Sequence, residues 1–204
     1  MNYKSETRKA YNKLAKDYEK KFEEYFKKHL ENEVNAFTKK LPRKAKILDL
    51  GSGPGTHALA FKQHGFRPVC IDISPKMVAL CQTKGLVATV GDFEKLEFPP
   101  NSFDAVWAYT SLLHTTKDKL PEILENIHKI LKPKGMFAIA MKEGSGEDFK
   151  VSDKDNKSRR WFALYNNKEL KSHLKQAGFR PISSSRTVVH PNQIFLNYLA
   201  TKRT

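Results

Sequence analysis

The stretch ILDLGSGPGTHA, residues 47–58, constrains the fold more than any other part of the sequence. An apolar run ends in Asp49, and three glycines, Gly51, Gly53 and Gly55, follow it within a few positions. A short apolar run is typical of a buried strand, and the segment HALAFKQH after the glycines is typical of a helix. Glycines let a backbone turn sharply and lie directly against a ligand. The stretch therefore predicts a strand, a tight loop and a helix, with a ligand site at the loop.

Strand-like and helix-like segments alternate along the rest of the chain. The runs FRPVCIDI, LVATVGD, FDAVWAY and MFAIAMK predict four further strands. Ser74 and Pro75 suit the N-cap and first turn of one intervening helix, and Gly178 suits the end of the last one. The closing segments PISSSRTVVH and QIFLNYLATKR, with HPN between them, predict an antiparallel strand pair. This order predicts a doubly wound α/β fold with a seven-stranded, mostly parallel sheet.

Two segments flank or interrupt this alternation. Residues 5–39 have aromatic and leucine side chains at spacings of three and four, which predicts a helix within an N-terminal helical cap over residues 1–40. Residues 143–160, EGSGEDFKVSDKDNKSRR, form a long polar insertion, and such insertions are usually active-site lids or disordered segments. We expect one domain over residues 1–204, with residues 143–160 as a lid loop.

The net charge of +15 is concentrated in the two flanks of the chain. Such an excess suits nucleic acid, an anionic membrane surface or an acidic substrate, but a lysine-rich solvated surface explains it as well. No apolar run is long enough to span a membrane, and the N-terminal residues lack a signal-peptide pattern, so we expect a cytoplasmic protein. Cys70 and Cys81 do not form a zinc pattern; we expect two buried free thiols and no metal.

The spacing of the glycines excludes two kinds of phosphate site. A P-loop requires a Gly-Lys-Ser/Thr sequence, which does not occur near this loop. A dinucleotide site requires G-x-G-x-x-G, but Thr56 or Ala58 occupies the third glycine position in the two possible registers. The loop is therefore better suited to a ligand that lies flat against it and carries no pyrophosphate.

Acidic residues end the next two predicted strands. Asp72 follows Gly53 by nineteen residues, where a carboxylate can accept hydrogen bonds from both hydroxyls of a ribose. Asp92, beside Phe93, ends the third strand and could bind the amine of an adenine ring. The inferred ligand is therefore an adenosine with a free ribose diol and no phosphates. Alternatively, each of these acids serves as a helix cap or turn residue.

From about Tyr11 to the C-terminus, the chain resembles the class I S-adenosylmethionine-dependent methyltransferases. ILDLGSGPG resembles their first motif, IDIS their ribose-binding acid, GDFEKLEFPPNSFDAVWA their adenine region and fourth strand, and IHKILKPKG their following helix and turn. The resemblance implies S-adenosyl-L-methionine as the cofactor and S-adenosyl-L-homocysteine as the product. It implies that Gly51, Gly53 and Gly55 lie under the methionine part, with Asp49 ordering the loop.

The resemblance also implies roles around the rest of the cofactor. Asp72 would bind the ribose and Asp92 the adenine amine, and the backbone of Ala108 would contact the methionine. Ile73, Met77 and Phe93 would pack on the adenine, although plain core packing explains these three side chains equally simply.

Three regions are candidates for the acceptor side of the site. Tyr11 and Tyr18 belong to an opening helix that resembles the cover of small-molecule methyltransferases, or else they pack as an amphipathic face. His114 follows the fourth strand and is a weak candidate for a catalytic base, since a lone histidine is more often structural. The segments KEGSGE and RRWFALY resemble an uncharacterised bacterial subgroup, or else form a mobile linker. They contribute the substrate-side candidates Lys142, Glu143, Glu147, Arg160 and Tyr165.

We therefore predict in-line methyl transfer to an O, N or S atom of a small molecule by a monomer or homodimer. The sequence lacks the Asn-Pro-Pro-Tyr-like run of base-amino methyltransferases and the nucleophilic cysteine of cytosine C5 methyltransferases. The main alternative is an RNA- (tRNA-) or protein-directed methyltransferase that uses the basic flanks. A non-catalytic cofactor binder and an NAD-dependent oxidoreductase are further alternatives.

Overall fold

The computed structural model describes residues 2–25, 31–152, 154–190 and 193–203. Its central sheet has seven strands. In chain order the strands of the protein are β1 (Lys46–Leu50), β2 (Arg67–Asp72), β3 (Val87–Val90), β4 (Phe103–Tyr109), β5 (Leu131–Lys142), β6 (Glu147–Val151), β7 (Arg159–Ala163), β8 (Phe179–His190) and β9 (Gln193–Lys202). The helices are α1 (Tyr3–Lys13), α2 (Ala15–Tyr25), α3 (Glu31–Thr38), α4 (Thr56–Gln63), α5 (Pro75–Thr83), α6 (Leu120–Ile130) and α7 (Asn167–Gln176), with a short 3-10 helix at Leu112–His114.

The strand order of the central sheet is β3-β2-β1-β4-β5-β9-β8. The first five strands are parallel, and β9 pairs antiparallel with both β5 and β8. The predicted fold is thereby confirmed, including the antiparallel closing pair. The proline and asparagine of the predicted HPN turn lie outside the described residues. Because the parallel strands share one direction, the carboxyl ends of β1, β2, β3 and β4 meet at one edge of the sheet.

Both faces of the sheet are covered, as the near-continuous apolar strands require. Helix α6 buries five aliphatic side chains at spacings of three and four, namely Leu120, Ile123, Leu124, Ile127 and Ile130. At about 2 kcal/mol for each buried side chain, they contribute roughly 10 kcal/mol of gross hydrophobic stabilisation. The opposite face packs around the fully buried ring of Trp107, with Phe37 of α3 and Phe61 of α4 against it.

Local signals set the helix starts that the sequence predicts. The Ser74 hydroxyl accepts a hydrogen bond from the Met77 backbone N–H at 3.2 Å, and Pro75 occupies the first turn of α5. Asn166 and Glu169 form a reciprocal capping box at the start of α7. Gly178, two residues past the end of α7, adopts φ +82°, which only glycine tolerates easily.

The N-terminal cap contains three helices instead of the predicted continuous helix over 5–39, and residues 26–30 lie outside the described ranges. The chain leaves helical geometry at Leu14, between α1 and α2. A straight helix of that length would measure about 50 Å, longer than a domain of this size is wide. The break lets the apolar side chains of both segments pack on the body of the protein: Leu14 and Tyr18 are buried against Met77 of α5.

The predicted polar loop 143–160 is different in the structure: β6 and β7 form a separate two-stranded antiparallel hairpin, with Phe149 opposite Trp161. The charged residues obscured this hairpin in the sequence, because its apolar side chains are few and alternate over short runs. The hairpin is anchored to α1, where the Trp161 backbone N–H donates to the Thr7 hydroxyl at 3.0 Å. Within the described ranges, no helix has the length and apolar character needed to cross a membrane.

Candidate functional site

A cavity of about 440 Å³ lies at the carboxyl ends of the central strands. Its floor is the glycine loop after β1, and its walls include the ends of β2 and β4. Helices α1 and α2 and the β6–β7 hairpin cover it. Of the predicted site residues, the cavity wall includes Gly51, Gly53, Asp72, Ile73, Asp92, Phe93, Tyr11, Tyr18, His114, Lys142 and Arg160. The fold thus brings together residues from seven separate parts of the chain.

The glycine loop uses its own backbone donors internally. The N–H groups of Gly51 and Ser52 both donate to the Ile71 carbonyl, at 2.8 and 3.0 Å. The Gly53 N–H donates to Oδ2 of Asp72 at 2.9 Å, and the Gly55 N–H donates to the Ser52 carbonyl. These four donors are therefore not arranged around a phosphate, unlike those of P-loops and dinucleotide sites. This geometry agrees with the exclusion of both sites from the sequence.

Positions 51 and 55 require glycine both because of their backbone conformation and because there is no space for a side chain. Both have positive φ, +73° and +80°. A Cβ on Gly51 would lie 2.3 Å from Cβ of Ser111, and one on Gly55 would lie 2.6 Å from Cδ1 of Leu86. Gly55 therefore packs beneath the loop and is not part of the cavity wall, so its place under the methionine stays a prediction.

Asp49 also lies beneath the loop, fully buried at the end of β1. Its Oδ2 is buried and has no hydrogen-bond partner among the described residues. Burial holds the pKa of this carboxyl well above its usual range. Asp49 does not reach the cavity wall, and its role of ordering the loop stays a prediction.

Asp72 is a buried carboxylate at the cavity. Its Oδ1 accepts from the Ser74 backbone N–H at 2.8 Å, and its Oδ2 accepts from Gly53. Each oxygen of a carboxylate can accept a further hydrogen bond, so both remain suited to ligand hydroxyls. Burial raises the pKa of Asp72 to about 6, although the two backbone donors oppose this effect. The residue therefore serves as a turn acid and also faces the cavity.

Asp92 at the end of β3 is tied to α1 by an ion pair. Nζ of Lys4 lies 2.7 Å from Oδ2 of Asp92 and 2.6 Å from Oε2 of Glu94. Oδ1 of Asp92 accepts from the Glu94 backbone N–H. Helix α1 thus closes over the end of the cavity formed by β2 and β3, where Ile73 and Phe93 also lie in the wall.

His114, Tyr11 and Arg160 form one hydrogen-bonded group in the cavity wall. Nδ1 of His114 lies 2.6 Å from the Trp161 carbonyl, which can only accept, so Nδ1 carries the proton. Nε2 therefore accepts from the Tyr11 hydroxyl at 2.7 Å, and Nη1 of Arg160 donates to the same hydroxyl at 3.2 Å. Burial, together with the Arg160 charge, lowers the pKa of His114 to about 3. The imidazole is neutral at physiological pH and binds protons weakly.

Two predicted cofactor residues lie in the core instead of the wall. Met77 is fully buried among Leu14, Ala15 and Tyr18, so its side chain joins α5 to the N-terminal helices. Ala108 is fully buried inside β4, and the cavity wall begins one residue later, at Tyr109. The strand ends at Tyr109, as the run FDAVWAY predicts, so Ala108 lies inside the strand.

Three predicted acceptor-side residues also lie outside the wall. Glu143 pairs with Arg186 at 2.6 Å, and a carboxylate oxygen of Glu147 accepts from the Lys117 backbone N–H at 2.8 Å. Tyr165 is fully buried in the main core, where Nζ of Lys117 lies 4.7 Å from its ring centre. These residues support the base of the hairpin, and their placement does not bring them into contact with the cavity.

The structure adds wall residues that the sequence did not reveal: Lys4, Thr7, Lys21, Phe22, Thr56, His57, Glu94, Tyr109, Thr110, Ser111, Lys150, Phe162, Gln193 and Phe195. Tyr109, Thr110 and Ser111 directly follow a strand, so the rule that ligands bind at strand ends could have identified them. The residues of α1, the hairpin and β9 carry no such signal, because only long-range packing brings them here.

Part of the chain is similar to known proteins. Residues 47–135 match a family model described as a methyltransferase domain. The sarcosine/dimethylglycine N-methyltransferase of Aphanothece halophytica is 33% identical over 108 residues, which are 48% of this chain and 38% of that enzyme. The chain spans less than half the length of the first curated relatives it matches.

Solved structures extend the similarity to most of the fold. A methyltransferase from Methanosarcina mazei superimposes with a TM-score of 0.74 at 17% identity, over 82% of this chain and 97% of its own. The Burkholderia thailandensis 1,6-didemethyltoxoflavin-N1-methyltransferase, solved with 1,6-didemethyltoxoflavin and S-adenosylhomocysteine bound, has a TM-score of 0.68 at 25% identity. That match covers 84% of this chain and 75% of the enzyme.

Over residues 47–135 the chain is similar to a methyltransferase domain, and its fold is that of solved S-adenosylmethionine-dependent methyltransferases. S-adenosylmethionine is the cofactor that these similarities support. The residues of the cavity fit this cofactor. The buried hydroxyls of Thr56, Tyr109 and Ser111 belong to the wall and have no hydrogen-bond partner among the described residues. Such groups are costly unless a ligand or water bonds them, and the polar methionine end of the cofactor could supply those bonds.

Proposed function

We propose that the protein transfers a methyl group to an O, N or S atom of a small molecule. The observation that carries this proposal is the cover: α1 and the β6–β7 hairpin close over the cavity and are bonded to each other through Thr7 and Trp161. A cavity of about 440 Å³ is within the range of small-molecule sites. The cover would also limit the access of water to the transfer.

On the cofactor side, we propose that Asp72 accepts the two ribose hydroxyls and that Asp92 accepts from the adenine amine. Ile73 and Phe93 would contact the adenine ring, and Gly51 and Gly53 would lie beneath the methionine. Thr56, Tyr109 and Ser111 join this set, because their buried hydroxyls need partners. The bound cofactor supplies a methyl group on a sulfonium, which is already activated for transfer.

The remaining task for the protein is to orient the acceptor. Tyr11, Tyr18, Lys142 and Arg160 would form the acceptor wall. With its pKa lowered to about 3, His114 is suited to holding the Tyr11 hydroxyl and not to removing a proton from the acceptor. We therefore propose His114 as a positioning residue in place of a catalytic base.

The alternative function, methylation of RNA (tRNA) or protein, is favoured by the basic flanks. Residues 1–46 carry 14 lysines and arginines against 7 acids, and residues 171–204 carry 6 against none. A macromolecular acceptor needs an open path to the methyl group, and the presence of α1 and the β6–β7 hairpin over the cavity supports the smaller acceptor. A phosphate-driven complex would also weaken steeply with salt.

Two measurements test the proposal. Calorimetry should detect S-adenosylhomocysteine binding, with no heat from NAD or ATP; the reverse pattern would contradict the assigned cofactor. Incubation with methyl-labelled cofactor and a cell extract separated into metabolites, RNA and protein should then label the metabolite fraction. Label in RNA or protein, together with specific retention of tRNA on filters at 150 mM salt, would support the alternative.

A further inference from the structure

The end of helix α5 packs directly against the glycine loop. Cys81, near the end of this helix, is a fully buried free thiol. A Cβ on Gly55 would lie 2.9 Å from Sγ of Cys81 and 3.5 Å from its Cα. Neither Cys81 nor Lys84, which directly follows α5, belongs to the cavity wall. These two residues can therefore influence a ligand in the cavity only through the loop.

The Cys81 thiol holds one peptide group of the loop. Its Sγ donates a hydrogen bond to the Gly53 carbonyl at 3.2 Å, and the Ser52 hydroxyl lies 3.7 Å from the same sulfur. Because a carbonyl can only accept, the thiol proton points to Gly53 and the Ser52 hydroxyl donates to the sulfur. Ser52 and Gly53 both belong to the cavity wall, so this chain of hydrogen bonds connects the wall to the buried thiol.

Lys84 holds the next peptide group. Its Nζ donates to the Pro54 carbonyl at 2.9 Å and also forms an ion pair with Glu19 of α2. Cys81 and Lys84 are three positions apart, a spacing that places side chains on the same side of a helix end. Two successive carbonyls of the loop are thus bonded by two side chains at the end of α5.

The loop needs such anchors because of its sequence. Gly53 and Gly55 flank Pro54 and have positive φ, +54° and +80°. Glycine has the most mobile backbone of all residues, so neither glycine holds the loop in one shape by itself. Proline has no backbone N–H, so the peptide group between Gly53 and Pro54 can be anchored only by its carbonyl. That carbonyl is the group that Cys81 binds.

Gly53 connects this anchor to the carboxylate of the cavity. Its N–H donates to Oδ2 of Asp72 at 2.9 Å. A Cβ on Gly53 would lie 3.5 Å from the ring of Phe22 on α2, so the cover packs on the same residue. A shift of Gly53 would therefore remove a donor from Asp72 and change the floor of the cavity.

We propose that Cys81 and Lys84 are positioning residues for the binding of S-adenosylmethionine. By holding the carbonyls of Gly53 and Pro54, they keep the Gly53 N–H on Asp72 and the loop in the shape that the cofactor requires. This inference rests on the proposed function, in which Gly53 lies beneath the methionine and Asp72 binds the ribose.

The test compares Cys81→Ala with Cys81→Ser, because serine keeps a hydrogen-bond donor and alanine does not. Calorimetry measures S-adenosylhomocysteine affinity, and urea denaturation measures the free energy of unfolding. Cys81→Ala should weaken binding about fivefold, and Cys81→Ser should recover part of that loss. Both variants should lose stability, since neither fills the space of the sulfur. Unchanged affinity in Cys81→Ala, or an equal affinity loss in both variants, would overturn the proposal.

A second pair of variants tests Lys84. Lys84→Met should weaken S-adenosylhomocysteine binding about threefold, because the Pro54 carbonyl loses its donor. The matched control is Lys62→Met, since Nζ of Lys62 donates at 2.8 Å to the Gly85 carbonyl, outside the loop. Glu19→Gln removes the ion pair alone and should leave the affinity unchanged. Equal affinities of Lys84→Met and Lys62→Met would contradict the role of Lys84.

Val78→Ala controls for the packing of α5, because Val78 is a buried residue of the same helix. This variant should lose stability without losing affinity for S-adenosylhomocysteine. An affinity loss as large as that of Cys81→Ala would overturn the proposal, since the packing of α5 alone would then explain both results.

The unaltered protein separates this inference from the proposed function. If it fails to bind S-adenosylhomocysteine, the proposed function itself is contradicted. If it binds and the variants bind equally well, only the positioning role is wrong. Should Cys81→Ala not fold, the comparison of Lys84→Met with Lys62→Met decides the outcome.

Discussion

The inner and outer halves of the cavity are held together by different kinds of interaction. The inner half uses backbone groups at the ends of adjacent strands, such as the Gly51 N–H on the Ile71 carbonyl. The outer half uses side chains from segments far apart in the chain: Thr7 bonds Trp161, 154 residues away, and Tyr11 bonds His114, 103 residues away.

This difference implies different responses to mutation. A backbone loop with positive φ at successive glycines has few alternative conformations, so a change there should cost stability and cofactor affinity together. Side-chain contacts between distant elements can open locally while the sheet stays folded. Changes in the cover should therefore affect local opening more than global unfolding.

The largest expected effect is at Gly51. Gly51→Ala would force a residue with φ +73° to accept a Cβ 2.3 Å from Cβ of Ser111. Backbone strain and overpacking together should lower the free energy of unfolding by about 3–4 kcal/mol. The control is Gly65→Ala, which has φ +80° but no atom within 4 Å of its Cβ and should cost about 1 kcal/mol. Urea denaturation measures the free energy of unfolding of both variants. Equal losses of stability would show that the glycine loop is not tightly packed.

Asp72→Asn tests the inner half without a change in shape. Loss of a charged acceptor should weaken S-adenosylhomocysteine binding by about 1.5–3 kcal/mol, measured by calorimetry. Asp104→Asn is the matched control, because Asp104 bonds Lys132 and the Lys46 backbone, outside the cavity wall. Unchanged affinity in Asp72→Asn would mean that Asp72 serves only the turn.

The pH dependence of Asp72 should have opposite signs for stability and for binding. Burial raises its pKa from 3.8 to about 6. Its stabilising contribution is therefore full below about pH 3.8 and is lost as the pH rises through about 6. Ribose hydroxyls need the ionised form, so affinity for S-adenosylhomocysteine should fall about tenfold between pH 7.5 and pH 5. In Asp72→Asn both trends should disappear; a persistent affinity change would assign the titration to another group.

Tyr11→Phe tests the outer half. Nε2 of His114 would lose its donor, at a cost of about 1 kcal/mol. We expect faster hydrogen exchange at the Trp161 amide, with urea unfolding nearly unchanged. Tyr198→Phe removes a hydroxyl that bonds Asn167, away from the cavity, and provides the control. A large global loss in Tyr11→Phe would mean that the cover and the sheet unfold as one unit.

The smallest effect is expected at Lys4, which joins α1 to β3. Lys4→Gln removes a partly exposed ion pair with Asp92 and Glu94 and should cost about 0.5 kcal/mol, less at high salt. Lys9→Gln, which breaks the more exposed pair with Glu6 on the same helix, should have almost no effect. Thermal unfolding at low and high salt measures the difference. Equal shifts in melting temperature for the two variants would mean that the Lys4 ion pair adds no stability to the contact between α1 and β3.

Residues at strand ends were predictable because local chemistry fixes them. The glycine spacing, the acids after β2 and β3, and the Ser74 cap each follow from backbone geometry within a few residues. Ala108 shows the limit of this approach, because the strand pattern FDAVWAY does not tell which residue of β4 first reaches the cavity. Met77 shows a second limit. The same sequence pattern allows an apolar side chain at a helix start to face either a ligand or a neighbouring helix.

By itself, the sequence determined the order of the seven strands of the central sheet and of the helices between them, the glycine loop and the cofactor class. These depend on periodicity and on backbone conformations that only certain residues tolerate. The tertiary structure alone decided that residues 143–160 contain most of a hairpin, that α1 closes over β3, and that Arg160 lies among three rings. The reason is physical: these features depend on side-chain contacts between segments up to 154 residues apart, which no local pattern encodes.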